Sequence, residues 1–195
     1  MSEVAVNPTS MARVFWKPVL YRAVIAIAYS LLGIFWAKNP PSVLVAIATA
    51  VLFLLCALFV WPVTRLAGLP ERMRTGLTAA ALGWIVAGVL LFIFREPAAM
   101  ASIIALGLAL GGIGELVAGW GRKELGRPAA DMVISGALGI IGAVVLVLVS
   151  VALGSNLDPH GIFGTAAMIV VCIGVHQVLA AIGYRRDVNK SAEQS

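Results

Sequence analysis

Two positions in this sequence set an ionisable side chain inside a long apolar stretch. They are Glu115, within Gly112-Ile113-Gly114-Glu115, and His176, within Gly174-Val175-His176-Gln177. An acidic residue at the centre of a membrane helix costs about 2.5–3.5 kcal/mol on insertion scales. Such residues therefore face a protein interior, where they hold a hydrogen bond or mark an ion path. The chemistry open to them is proton uptake and release, because imidazole changes charge within the physiological range. The two tetrapeptides also correspond by position. Glu115 lies 18 residues after Pro97 and Gln177 lies 18 after Pro159, whereas the same offset from Pro40 falls on Leu58. Three readings of Glu115, His176 and Gln177 stand side by side. One is an interhelical hydrogen bond between the fourth and sixth apolar stretches, of about 0.6–2 kcal/mol. Another is a proton-responsive or proton-conducting role, in which Glu115 and His176 pair directly at similar depth. The third is a position at the lipid edge with no consequence.

Other chemistry lacks its residues. Gly112-Ile113-Gly114 runs on into Glu115-Leu116-Val117 and does not complete a dinucleotide-binding glycine pattern, and no P-loop, HExxH or GxSxG occurs. No catalytic, cofactor-binding or metal-ligating set emerges, so the expectation is a protein that is not an enzyme and carries no cofactor. Cys56 and Cys172 stand alone in apolar runs and read as small buried hydrophobes. The net charge of +5 is spread in short clusters between apolar runs, which gives no basic stripe for a nucleic-acid partner.

The elements that must position Glu115 and His176 follow from composition. Of 195 residues, 61 % are apolar and 12 % charged, with a mean hydropathy of +1.01. Soluble domains run near 45–50 % apolar and about 25 % charged, so the expected surroundings are a lipid bilayer. Charges interrupt six apolar stretches, at 19–37, 42–64, 75–94, 98–121, 132–157 and 161–184. Each approaches the roughly 20 residues that cross hydrocarbon as a helix, and helix is the form that satisfies its own backbone in lipid. The expected fold is all-α: a polytopic membrane protein with a segment 1–18, a six-helix transmembrane domain 19–184 and a tail 185–195. The first stretch reads as an uncleaved anchor, with Arg22 snorkelling to the interface beside Trp16, Lys17 and Tyr21. Twelve of the 14 Lys and Arg fall on one side of this arrangement, and only Lys38 and Arg95 on the other. The positive-inside rule then puts both termini in the cytoplasm.

The three outer turns share a punctuation: Lys38-Asn39-Pro40-Pro41, Arg95-Glu96-Pro97 and Asp158-Pro159-His160. Aligned on Pro40, Pro97 and Pro159, the basic residues Arg65, Arg122 and Arg185 also fall nearly together. The chain thus reads as three tandem two-helix hairpins, about 22–66, 74–124 and 131–187, arranged about a pseudo-threefold axis along the membrane normal. Small residues mark where helices touch: Gly107, Gly111 and Gly114 in the fourth stretch, and Gly136, Gly139 and Gly142 in the fifth. Glycine at this spacing lets backbones approach closely in lipid. Packing within the chain is the main reading, with a homo-oligomer or a membrane-protein partner as the alternative.

On these features the sequence resembles the HdeD-type acid-resistance membrane proteins of bacteria. The segments that carry the resemblance are Leu31-Leu32-Gly33-Ile34 ahead of Asn39-Pro40, Gly88-Val89-Leu90 ahead of Glu96-Pro97, and Gly112-Ile113-Gly114-Glu115. It covers about residues 20–186, and the third hairpin departs from it in a longer Gly154-Ser155-Asn156 approach. The resemblance implies a multi-pass protein of the bacterial inner membrane that contributes to acid or envelope stress resistance, with no enzymatic activity. The alternative is a small proton or solute transporter or channel, or an accessory subunit of a larger membrane complex.

Overall fold

The computed structural model describes residues 8–36, 40–121 and 125–193. Lys38, Arg122 and Lys123, which contribute to the charge asymmetry, lie outside the described residues, as do residues 1–7, 194 and 195 of the expected terminal segments. The described residues form six helices and no strand: α1 Pro8–Phe35, α2 Ser42–Thr64, α3 Glu71–Ile93, α4 Pro97–Gly119, α5 Arg127–Leu153 and α6 Pro159–Glu193. All six are long and apolar enough to cross a membrane. Every helix starts at or beside a proline. Pro8, Pro97 and Pro159 open α1, α4 and α6, Pro128 sits in the first turn of α5, and Pro41 and Pro70 cap α2 and α3. Proline suits this place because the missing N–H would have no partner in the first turn and the fixed φ is already helical. The proline punctuation of the sequence is therefore the punctuation of the fold.

The helices run up and down as three tandem hairpins and close into a ring in chain order, with α6 returning against α1. That ring is what three parallel hairpins require. It is not an even ring. The seams between hairpins, above all α1 with α6 and α4 with α5, are more extensive than the seams inside the first and third hairpins.

The helix boundaries differ most from the sequence expectation in α1 and α6. Helix α1 begins at Pro8, so the described part of the segment before residue 19 is continuous with the first span, through Pro18. Helix α6 carries on to Glu193, well into the expected tail. At 1.5 Å per residue a 35-residue helix is about 52 Å long, against about 30 Å of hydrocarbon. The extensions are held by tertiary contacts that hydropathy does not register. Met11, Ala12 and Phe15 are buried, Val188 packs against the same core, and the Arg185 guanidinium lies 5.9 Å from the Trp16 ring.

Glycines set the closest approaches. A Cβ on Gly112 would lie 2.6 Å from the Gly136 carbonyl oxygen, and one on Gly136 would lie 2.5 Å from that of Gly112. These two glycines let α4 and α5 touch backbone to backbone. Gly139 continues the seam against Leu108, and Gly142 meets Ile169 of α6. On the other flank of α4, Gly114 meets Gly76 and Ala80, Gly111 meets the Trp84 ring, and Gly107 meets Phe53 and Ala87. All six glycines singled out in the sequence pack inside this chain, so an oligomer would have to use other surfaces. Cys172 departs from the expectation of burial: it is exposed on α6, where its thiol bonds the Met168 carbonyl one turn back.

Candidate functional site

The centre of the ring is polar. Arg22 of α1 and Glu115 of α4 form an ion pair, Nη2 to Oε1 at 2.5 Å, with side chains 8 % and 5 % exposed. The expectation that Arg22 snorkels to the interface is thus corrected. With α1 extended back to Pro8, Arg22 lies more than three turns inside its helix, and the side chain turns inward to Glu115, the one buried acidic group among the described residues. The guanidinium lies 4.7 Å from the centre of the Trp84 ring on α3, a cation–π contact that helps hold a buried charge. The Cys56 thiol of α2 is within interaction range of the same guanidinium. The pair is therefore enclosed by helices of the first and second hairpins.

Gln177 and Ser135 are buried beside it. Together with Arg22 and Glu115 they line two small cavities stacked along the bundle. The lower cavity, ≈ 30 Å³, lies toward the end of the bundle where α1 begins and α6 ends, and includes Asp131, Met132 and Tyr184 in its wall. The upper cavity, ≈ 50 Å³, reaches Cys56, Trp84 and Gly139. The Arg22 Nε–H, fully buried, has no hydrogen-bond partner among the described residues.

Glu115 and His176 do not pair. The His176 imidazole sits in the seam between α5 and α6, with Nε2 3.2 Å from the Asp131 backbone oxygen and 3.9 Å from its carboxylate. The reason is helical geometry: adjacent residues on a helix are turned about 100° apart. Gln177 faces the interior, so His176 faces the neighbouring helix. The repeat alignment that matched Glu115 to Gln177 did place two polar residues in one core, because both line both cavities. Leu58, the third equivalent, is exposed on α2 and faces outward. A second buried polar contact lies elsewhere: the Tyr29 hydroxyl of α1 is 2.9 Å from Thr49 Oγ1 of α2, and Thr49 in turn donates to the Val45 carbonyl.

Sequence reasoning missed Arg22 as the partner, Asp131, and the cavity-lining roles of Cys56, Trp84, Ser135 and Tyr184. A signal for the first existed. Arg22 and Glu115 were the one basic and the one acidic residue within the apolar stretches, and opposite charges in lipid are each other's cheapest neighbours. Asp131 lay one residue outside the expected fifth stretch. Nothing local distinguished Trp84 or Ser135.

The fold and the site together define a class: a multi-pass, six-helix membrane bundle closed around a buried Arg–Glu pair. Compared with family models, with curated proteins and with solved structures, the chain matches none.

Proposed function

We propose that this chain is a non-enzymatic protein of a bacterial inner membrane, of the HdeD type, with both termini in the cytoplasm, that contributes to acid or envelope stress resistance. The observation that carries the reading is the Arg22–Glu115 pair. A charge pair buried in a bundle is a poor way to gain stability, since an apolar pair of the same volume is often as good. It does supply a group whose charge depends on protons. Protonation of Glu115 leaves Arg22 charged and unpaired, which favours any rearrangement of α1 and α4 that lets water reach the guanidinium. The seams that such a rearrangement loosens are α1 against α6 and α4 against α5, the most extensive in the ring.

The test is survival of a deletion strain at low pH, complemented with wild type or with Glu115→Gln. Glu115→Gln keeps the shape and cannot lose or gain the proton. Loss of survival on deletion, rescue by wild type and failure of Glu115→Gln at equal abundance is the expected result. Full survival of the deletion strain refutes the reading. A second reading, a small proton or solute transporter, is favoured by the two cavities that flank the pair. It predicts a proton or solute flux in vesicles that reconstituted protein adds over empty ones.

A further inference from the structure

The unpartnered Arg22 Nε–H and the two cavities call for an occupant. A buried donor without an acceptor is rare in folded proteins, and the surrounding walls supply further polar groups from Glu115, Ser135 and Gln177. A cavity holds a water when it offers at least about 10–15 Å³, the size of one water-sized sphere, and two to four polar partners. Both cavities exceed that volume, at ≈ 30 and ≈ 50 Å³. Asp131 extends the polar wall outward. Its carboxylate borders the lower cavity on one side and His176 on the other, and is 21 % exposed, about one turn from the start of α5.

We propose that the two cavities hold ordered water that completes the hydrogen bonding of Arg22, and that the lower one is the proton path from Asp131 to Glu115. The path runs from the end where α1 begins and α6 ends. Farther along the bundle the Tyr29 and Phe163 rings pack edge to face. The transfer balances simply. Asp131 takes a proton from outside water, with His176 beside it, and passes it through cavity water to the Glu115 carboxylate. Glu115 becomes neutral, Asp131 returns to its anion, and Arg22 keeps its charge. The titratable or charged groups around Glu115 are Arg22 from α1, Cys56 from α2, Asp131 from α5 and Tyr184 from α6, while α3 contributes the uncharged Trp84. The proton path rests on Glu115 being the responsive group; the water does not.

Two measurements test this on the full-length protein in detergent. X-ray radiolysis makes hydroxyl radicals from water where it is bound, and these oxidise neighbouring side chains. Met132 and Trp84, which line the cavities, should oxidise several-fold faster than Met73 and Met100, which are fully buried and border neither. Ser135→Val, which fills space shared by both cavities, should bring Met132 and Trp84 down toward the two controls. Oxidation of Met132 and Trp84 no faster than Met100 in wild type overturns the hydrated core. The second measurement follows the infrared carboxyl band of Glu115 after a drop in pH, assigned by its absence in Glu115→Gln. Asp131→Asn should slow its appearance by about a hundredfold or more, the loss expected when a positioned proton carrier is removed. An unchanged rate overturns the path. If wild type shows no such band while still folded, Glu115 is not the responsive group and both the path and the reading above fall, while radiolysis still decides the water.

Discussion

Removing one charge from the central pair should cost far more than removing both. With nitrogen and oxygen at 2.5 Å, the charge centres are about 4 Å apart, and at an effective dielectric of about 20 their attraction is about 4 kcal/mol. Loss of one partner of a buried pair typically costs about 3–5 kcal/mol, because the other charge stays behind. In Glu115→Leu the stranded guanidinium keeps the Trp84 face and the cavity space beside it, which places the expected loss near the lower end, about 3 kcal/mol. Arg22→Met should lose a similar amount by leaving the carboxylate unpaired. The double variant Arg22→Met with Glu115→Leu strands nothing, and should recover to within about 1 kcal/mol of wild type or exceed it. The assay is unfolding of purified protein in mixed micelles by increasing SDS, followed by helical circular dichroism. A thermodynamic cycle on those losses then gives a coupling of at least about 5 kcal/mol between the two positions. Single variants within about 0.5 kcal/mol of wild type, or a double variant as unstable as the two losses summed, would refute the ion-pair argument.

Four further outcomes are expected. Gly136→Ala puts a Cβ 2.5 Å from the Gly112 oxygen and 2.6 Å from the Leu116 nitrogen, both backbone atoms that cannot swing aside, so folded yield should fall sharply. Gly164→Ala, with nothing within 4 Å, should match or exceed wild type in the folded yield recovered in detergent. Tyr29→Phe removes the interhelical bond to Thr49 and leaves that hydroxyl its bond to Val45, so the SDS unfolding free energy should drop by about 0.6–1.7 kcal/mol. A reporter active only outside the cytoplasm should work when fused after Glu96 or Asp158 and fail after Arg72 or Lys190; activity at either of the last two would reverse the orientation.

The six helices were legible in the sequence because spanning length and apolar content are properties of a continuous stretch, and because a proline stands at or beside the start of each helix, although Pro18 and Pro62 lie inside α1 and α2. The same holds for the glycines, whose spacing along one face of α4 and α5 is visible before any partner is known. Glu115 could be assigned to an interior for the same kind of reason: a carboxylate pays too much at a lipid-facing position. Its partner could not be read this way. Arg22 near the start of an apolar stretch is equally well placed to reach the interface or to turn inward, and the choice depends on how far α1 extends and on which face it shows to the ring. That face is set by the packing of α1 against α6, at opposite ends of the chain. The separation of Gln177 from His176 is of the same kind, since one residue along a helix rotates a side chain from the core into the seam. Local composition decides which segments enter the membrane. Which side chains meet there is decided by the rotation of each helix about its axis, and only the closed ring fixes those rotations together.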